Sequence, residues 1–286
     1  ALSRDPRVDW AQPMNEFRTR GHDDPLAPLQ PVVQAWHLEE LHEIATGRNA
    51  GVAVVDSRID RDHPDLEGQV ALEEDFVDGH GDRPEDHGTA VAGIIAARAD
   101  NGAGILGVAP NARLLALRAC WQQSSQSTVC TSLGLAMALH FAITHGAEVI
   151  NLSLSGPSDR LLDRLLDVAL ARSISVVAAV DRSRRDGGFP ASHAGVVADS
   201  DESEGPALPG VLVAPGRDVP TTLPGDRWNL VSGSSYAAAH VAGLFALMRE
   251  PSPARAGLPS TAGVVSLPGG GSDACAHFGE ADPYDQ

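Results

Sequence analysis

Three segments hold residue types that together perform acyl transfer, and along the chain they come in the order Asp, His, Ser. In VAVVDSRIDRDHPDL an apolar, β-forming run leads into Asp56. A carboxylate at the C-terminal end of a buried strand stands where α/β sheets place their sites, although many such Asp residues only accept bonds from loop amides. In HGTAVAGIIAA, His87 stands at the threshold of a small-residue helix, with Gly88 beside it leaving room for a neighbouring backbone. In SGSSYAAAHVAGLFALM, Ser234 and Ser235 open a second such helix, where free backbone N–H groups and the positive end of the helix dipole surround a serine oxygen. Each segment alone has a plainer reading, since a lone His is more often structural and a Ser in this position commonly caps its helix. Together they meet a chemical requirement: an attacking serine needs an imidazole to take its proton and a carboxylate to fix the tautomer and orientation of that imidazole. His240 competes for the role of base. It follows Ser235 by five residues on the same helix, so it is rotated roughly 140° away and cannot face that serine.

The elements that must hold these residues follow from the surrounding pattern. Between residues 50 and 250, short β-rich apolar runs alternate with helical stretches, the signature of an α/β fold on a mostly parallel sheet. Buried strands are expected at Gly51 to Val55, Arg113 to Arg118, Glu148 to Leu154, Ile174 to Val180 and Val211 to Ala214. Residues 159–172 predict an amphipathic helix with Leu161, Leu162, Leu165, Leu166 and Ala169 on one stripe and Ser158 as its N-cap. Residues 88–98 and 236–248 are rich in Ala and Gly and poor in charge, which predicts helices buried on all sides.

The chain has 286 residues, 43% of them hydrophobic and 21% charged, enough for a substantial core. Its formal net charge is -17 and all 21 basic residues are arginine, a balance that repels phosphate backbones and argues against nucleic-acid binding. No run approaches the roughly 20 apolar residues of a membrane span. Cys120 and Cys130 bracket the polar segment WQQSSQSTV, which suits a disulfide-closed surface loop in an oxidising compartment, with reduced thiols as the alternative. Cys275 is then the odd cysteine. Residues 1–22 read as an N-terminal arm or propeptide remnant, 23–250 as one catalytic domain and 251–286 as a Pro/Gly-rich tail.

The Asp, HGT and GSS blocks, in this order, resemble the subtilisin-like serine proteases, the subtilase family, over roughly residues 24–250. GVAP at 107–110 and VINLSLSGP at 149–157 agree with that family's segments. The resemblance implies a three-layer α/β fold, a mostly parallel central sheet with helices on both faces, and a secreted or periplasmic serine endopeptidase. It implies Asp56 as orienting carboxylate, His87 as base and then acid, Ser235 as nucleophile, and Ser153, Leu154 and Ser155 as a substrate-binding edge. Its calcium site would map onto Asp24, Asp65, Asn101 and the carbonyls of Ala103 and Ile105. LSRDPRVDWAQP resembles the tail of a propeptide, which would act as the enzyme's own inhibitor; the other partner implied is a peptide or protein substrate, and the chain is expected to be a monomer.

Departures from the family pattern are as informative. VVAAVDR stands where VVAAAGN is expected, which puts Asp181 and Arg182 in the places of Gly and the oxyanion-hole Asn. Losing such a donor typically costs about 100- to 1,000-fold in turnover, so the hole is expected to combine the Ser235 N–H with one of these two side chains. Arg58, Ala90, Ser234 and Ala239 replace the usual Gly, His, Thr and Pro, and none removes a triad group. Two other activities remain compatible with these blocks: a peptide-binding pseudoprotease, and a ligase or cyclase that passes the acyl group to an amine. Glu73, Glu74, Asp75, Glu85 and Asp86 form acidic clusters that either favour basic substrate side chains or are solvated loop charges.

Overall fold

Alternation of apolar runs with helical segments produces a wound sheet, seen in a computed structural model that describes residues 22–124, 127–201 and 210–250. In chain order, a 3-10 turn (Ala27–Leu29) and helices α1 (Pro31–Ala35) and α2 (Leu38–Ile44) lead into β1 (Gly51–Asp56), β2 (Val70–Asp75), α3 (Asp86–Ala96) and β3 (Arg113–Arg118). Next come the hairpin strands β4 (Cys120–Ser124) and β5 (Ser127–Cys130), α4 (Ser132–Thr144), β6 (Val149–Leu152), α5 (Arg160–Ala171) and β7 (Ser175–Ala179). The chain continues through β8 (Val197–Asp201), β9 (Leu212–Ala214), a second hairpin of β10 (Val219–Leu223) and β11 (Arg227–Val231), and α6 (Ser234–Arg249).

Seven strands form one parallel sheet in the order β2-β3-β1-β6-β7-β8-β9. The central strands are apolar on both faces, as a sheet covered on both sides requires. Val52 and Val54 of β1 and Val177 of β7 pack with the small residues of α3 and α6. Ala53, Val55, Ile150 and Val176 point the other way, into a second core with α4 and α5. The small side chains of α3 and α6 allow the close packing their composition predicts. Strand β10 reaches α3 closely enough for the Thr221 and Thr222 hydroxyls to donate to the Ala90 and Thr89 carbonyls, at 2.7 and 2.8 Å.

The strand expected to end at Leu154 stops at Leu152, because the Leu154 amide turns back to the Leu152 carbonyl at 2.8 Å and leaves the ladder. The N-cap of α5 is Asp159 rather than Ser158: its carboxylate accepts from Leu161 and Leu162 N–H, the arrangement that satisfies first-turn donors best. Leu161 is 53% exposed and lies off the buried stripe formed by Leu162, Leu166 and Ala169. Two elements escape apolar periodicity for physical reasons. Strand β8 carries two buried aspartates in VADSD, and the edge strand β2 is half polar and irregular in register.

Candidate functional site

Strand β1 lies between β3 and β6, where the order of strands reverses, so the carboxyl ends of β1 and β6 open onto a crevice. Asp56 ends β1, and its Oδ1 accepts the Ser57 amide at 2.7 Å. Both carboxylate oxygens face His87 Nδ1, at 2.8 and 3.0 Å. A second bond locks this pairing, since Gly88 N–H donates to Ser57 Oγ at 3.0 Å. Only glycine allows it: a Cβ on Gly88 would lie 2.2 Å from the Ser57 carbonyl oxygen. The Nδ1–H tautomer directed at a carboxylate leaves Nε2 as the basic nitrogen. Burial pulls the His87 ring toward its neutral form, but the charge and hydrogen bond of Asp56 outweigh it and hold the pKa above the ordinary histidine value.

Ser235 is the second residue of α6, whose N-cap is Gly233 with no side-chain capping bond, so neither serine acts as the cap. The first amides of the helix have no acceptor within it and present their N–H groups to whatever lies in front. Ser235 Oγ donates to the Ser153 carbonyl at 3.0 Å, and Ser153 Oγ returns a bond to the Ser235 carbonyl at 2.8 Å. Buried Asn151 donates to Ser153 Oγ at 2.9 Å and fixes this pair from beneath. Asp56, His87, Ser235, Ser153, Leu154 and Ser155 all line one cleft of about 950 Å³. Its lining also includes the apolar Leu135, Leu139, Leu152, Leu162 and Leu166, and residues of the β4–β5 hairpin. Cys120 and Cys130 form a disulfide in that hairpin. His240 is fully buried against Trp36, and loss of solvent lowers its pKa to about 4.

Asp181 and Arg182 follow β7, but their side chains are engaged elsewhere. Asp181 Oδ1 accepts from the Ser183 amide and hydroxyl at 2.9 and 2.6 Å, and Arg182 Nη2 donates to Ser200 Oγ of β8 at 3.2 Å. Neither is among the cleft-lining residues. Three of the acidic groups near the triad, Glu73, Asp75 and Glu85, are paired internally, while Glu74 is exposed. Arg58 pairs with Glu73 and Asp75, and Arg118 with Asp75 and Glu85, so the residue that replaces the usual Gly after the Asp block offsets part of this cluster's charge. Two contacts had no signal in residue type or spacing. The Tyr236 ring lies 5.6 Å from that of His87, and its phenol stays protonated, its pKa raised by burial and by Asp56 and Asp86 to about 12. The other, between Gln122 and the start of α3, is taken up below.

Among the residues mapped onto a calcium site, Asp65 is committed to proton donors. Three N–H donors converge on the buried Asp65 carboxylate: Trp228 Nε1 at 2.6 Å, the Ile105 amide at 3.0 Å and Asn101 Nδ2 at 3.0 Å. Asn101 Oδ1 accepts the Ala103 amide at 2.9 Å, and Asp24 accepts the amides of Asp100 and Asn101. A hard cation needs oxygens facing it, whereas three proton donors meet the Asp65 carboxylate; His22, Asp24 and Asp100 bring ligand atoms within 4.8 Å of one another beside it. Gly104 makes the contact sterically feasible, because a Cβ there would lie 1.9 Å from Trp228 Nε1 and the backbone has φ 45°. Chelation is therefore expected to leave the melting temperature unchanged, while Trp228→Phe removes a charge-assisted bond and costs about 1–3 kcal/mol. Scanning calorimetry with EDTA and with added calcium checks both; a melting point that rises with calcium contradicts the expectation.

A family model described as the subtilase family matches residues 47–262. Among curated relatives, the thermophilic serine proteinase of Bacillus sp. (strain AK1) is 35% identical over 263 residues, covering 87% of this chain and 65% of that protein. Thermitase of Thermoactinomyces vulgaris is 34% identical over 250 residues, 82% of this chain and 86% of thermitase. The major intracellular serine protease of Bacillus subtilis (strain 168) is 32% identical over 225 residues, 71% of this chain and 69% of that relative. The chain thus spans just under two thirds of the length of the first of these.

Proposed function

Because the chain belongs to the subtilase family, we propose that it is a serine endopeptidase that cleaves peptide bonds through an acyl-enzyme on Ser235. The observation that carries this reading is the hydrogen bond that His87 Nδ1–H directs at both carboxylate oxygens of Asp56, in the cleft that Ser235 also lines. In the reaction Ser235 Oγ leaves the Ser153 carbonyl and gives its proton to His87 Nε2 as it attacks the scissile carbonyl carbon. The imidazolium that forms is stabilised by Asp56 and hands the proton to the departing amine. Water then repeats the sequence on the ester, with His87 again as base. The Ser235 amide at the start of α6 donates to the oxyanion, aided by the helix dipole.

The substrate is a peptide or protein segment lying along Ser153, Leu154 and Ser155, with an apolar side chain reaching toward Leu135 and Leu166. The Cys120–Cys130 disulfide supports work in an oxidising compartment, outside the cell or in a periplasm. No helix of the described residues is long and apolar enough to cross a membrane. Inhibition by residues 1–22 as a propeptide remnant belongs to the same proposal, as does a monomeric enzyme; residues 1–21, the tail 251–286 and Cys275 lie outside the described residues.

One observation favours a second reading. Asp181 is bonded to Ser183 and Arg182 to Ser200, and neither is among the residues that line the cleft, which suits a peptide binder of low turnover. A fluorophosphonate probe separates the two. Endopeptidase chemistry predicts labelling at Ser235, found by mass spectrometry, and peptide products lighter than the substrate by the expected cleavage. A folded protein that takes no label supports the binder, and products that join two peptides indicate aminolysis.

A further inference from the structure

Helix α3 carries His87 yet opens without a cap of its own, since its N-cap residue Glu85 makes no side-chain capping bond. Its free first-turn amides have to find acceptors elsewhere. Gln122 supplies one: its Oε1 accepts from the Asp86 amide at 3.0 Å, its Nε2 donates to Asp86 Oδ2 at 3.1 Å, and its own amide donates to Glu85 Oε1 at 3.0 Å. One side chain and its amide therefore hold both residues that precede the base. Gln122 sits on β4, and β4 pairs with β5 but with no strand of the main sheet. A lone two-stranded ribbon is marginally stable in water. This one is joined across its ladder, where Cys120 faces Cys130, and is steadied by Trp121 stacked on His80 at 4.1 Å.

We infer that Gln122 is a positioning residue for His87, capping the catalytic helix from a separate hairpin, and that the Cys120–Cys130 disulfide acts on catalysis by holding Gln122 in place. The physical chain is short and continuous. The disulfide fixes the strand register, the register fixes Gln122, and Gln122 fixes the start of α3, where a displacement of His87 relative to Ser235 slows proton transfer far more than it weakens substrate binding. The inference rests on Ser235 and His87 being nucleophile and base.

Gln122→Ala is expected to lower kcat about tenfold with KM changed less than twofold, and to slow fluorophosphonate labelling of Ser235 by the same factor. Gln122→Glu places a carboxylate against Asp86 and Glu85, and is expected to be at least as slow. The decisive measurement is a cycle of two changes. Reduction of the disulfide with dithiothreitol should slow labelling of the wild type about as much as Gln122→Ala does, and should add little to the Gln122→Ala variant, because both remove the same link. An unchanged kcat in a folded Gln122→Ala variant overturns the inference, as does reduction that slows both proteins equally. Should the reduced protein unfold, the Gln122→Ala comparison decides alone. Failure of the wild type to label at all would instead remove the reading of the triad on which this rests.

Discussion

Ser235→Ala is expected to lower kcat about a millionfold, close to 8 kcal/mol of transition-state stabilisation. In the proposed mechanism this hydroxyl forms the ester, and no charge or packing change compensates for its absence. Ser235 also donates to the Ser153 carbonyl, so the alanine variant loses one neutral hydrogen bond and folds normally, with binding of a peptide substrate nearly unchanged. His87→Ala should cost about as much, and the double variant no more than either alone, because nucleophile and base act as one unit. Single-turnover kinetics on a peptide substrate, with affinity measured separately on the inactive variants, tests this. A loss below about a hundredfold for Ser235→Ala would show that hydrolysis does not pass through this serine.

Asp56→Asn is the second large effect, with an expected loss of about 10⁴-fold in kcat and a displaced pH profile. The amide leaves the geometry intact but can hold the wrong tautomer of His87, with Nε2 protonated and unable to act as base. Burial alone would lower the pKa of His87; the charge and hydrogen bond of Asp56 reverse the sign and raise it. The base works only when neutral, so in the wild type the acid limb of activity is displaced upward from the ordinary histidine value. Removing the charge lets burial prevail, and the limb of the residual activity moves to lower pH. Stability follows the same group with its own sign. A histidine whose pKa is raised on folding contributes stability that is fully present below its unfolded pKa and is lost as pH rises through the folded one. The asparagine variant should therefore lose more stability at acidic than at alkaline pH. An acid limb that stays in place would show that Asp56 does not set the titration of His87.

Much of the architecture was legible from one dimension. Runs such as GVAVVD and VINL are buried at every position and apolar but for Asp56 and Asn151, which is the pattern of strands covered on both faces, and both lie in the parallel sheet. The charge-poor helices ending HVAGLFALM and beginning HGTAVAG are buried as their composition requires. What periodicity missed shares a cause. Strand β8 is polar because Asp199, Ser200 and Asp201 are buried together, with Asp199 pushed well above its ordinary pKa by burial and by Asp201. The leucines of α5 mark it as amphipathic, yet its first residue is set by a local competition between Ser158 and Asp159 that only the backbone path decides.

The sequence alone determined which residue types were available and the order in which the chain offers them: Asp56 after a buried run, His87 and Ser235 at the starts of small-residue helices. These are local properties, written in composition and spacing. The tertiary structure decided what each polar group bonds to. It bonded Asp181 to Ser183 and Arg182 to Ser200, brought Trp228 to Asp65, 163 residues apart in sequence, and set Gln122 against the helix of His87. Hydrogen bonds depend on distance and direction to within a few tenths of an ångström, and partners that far apart along the chain leave no periodic trace in it.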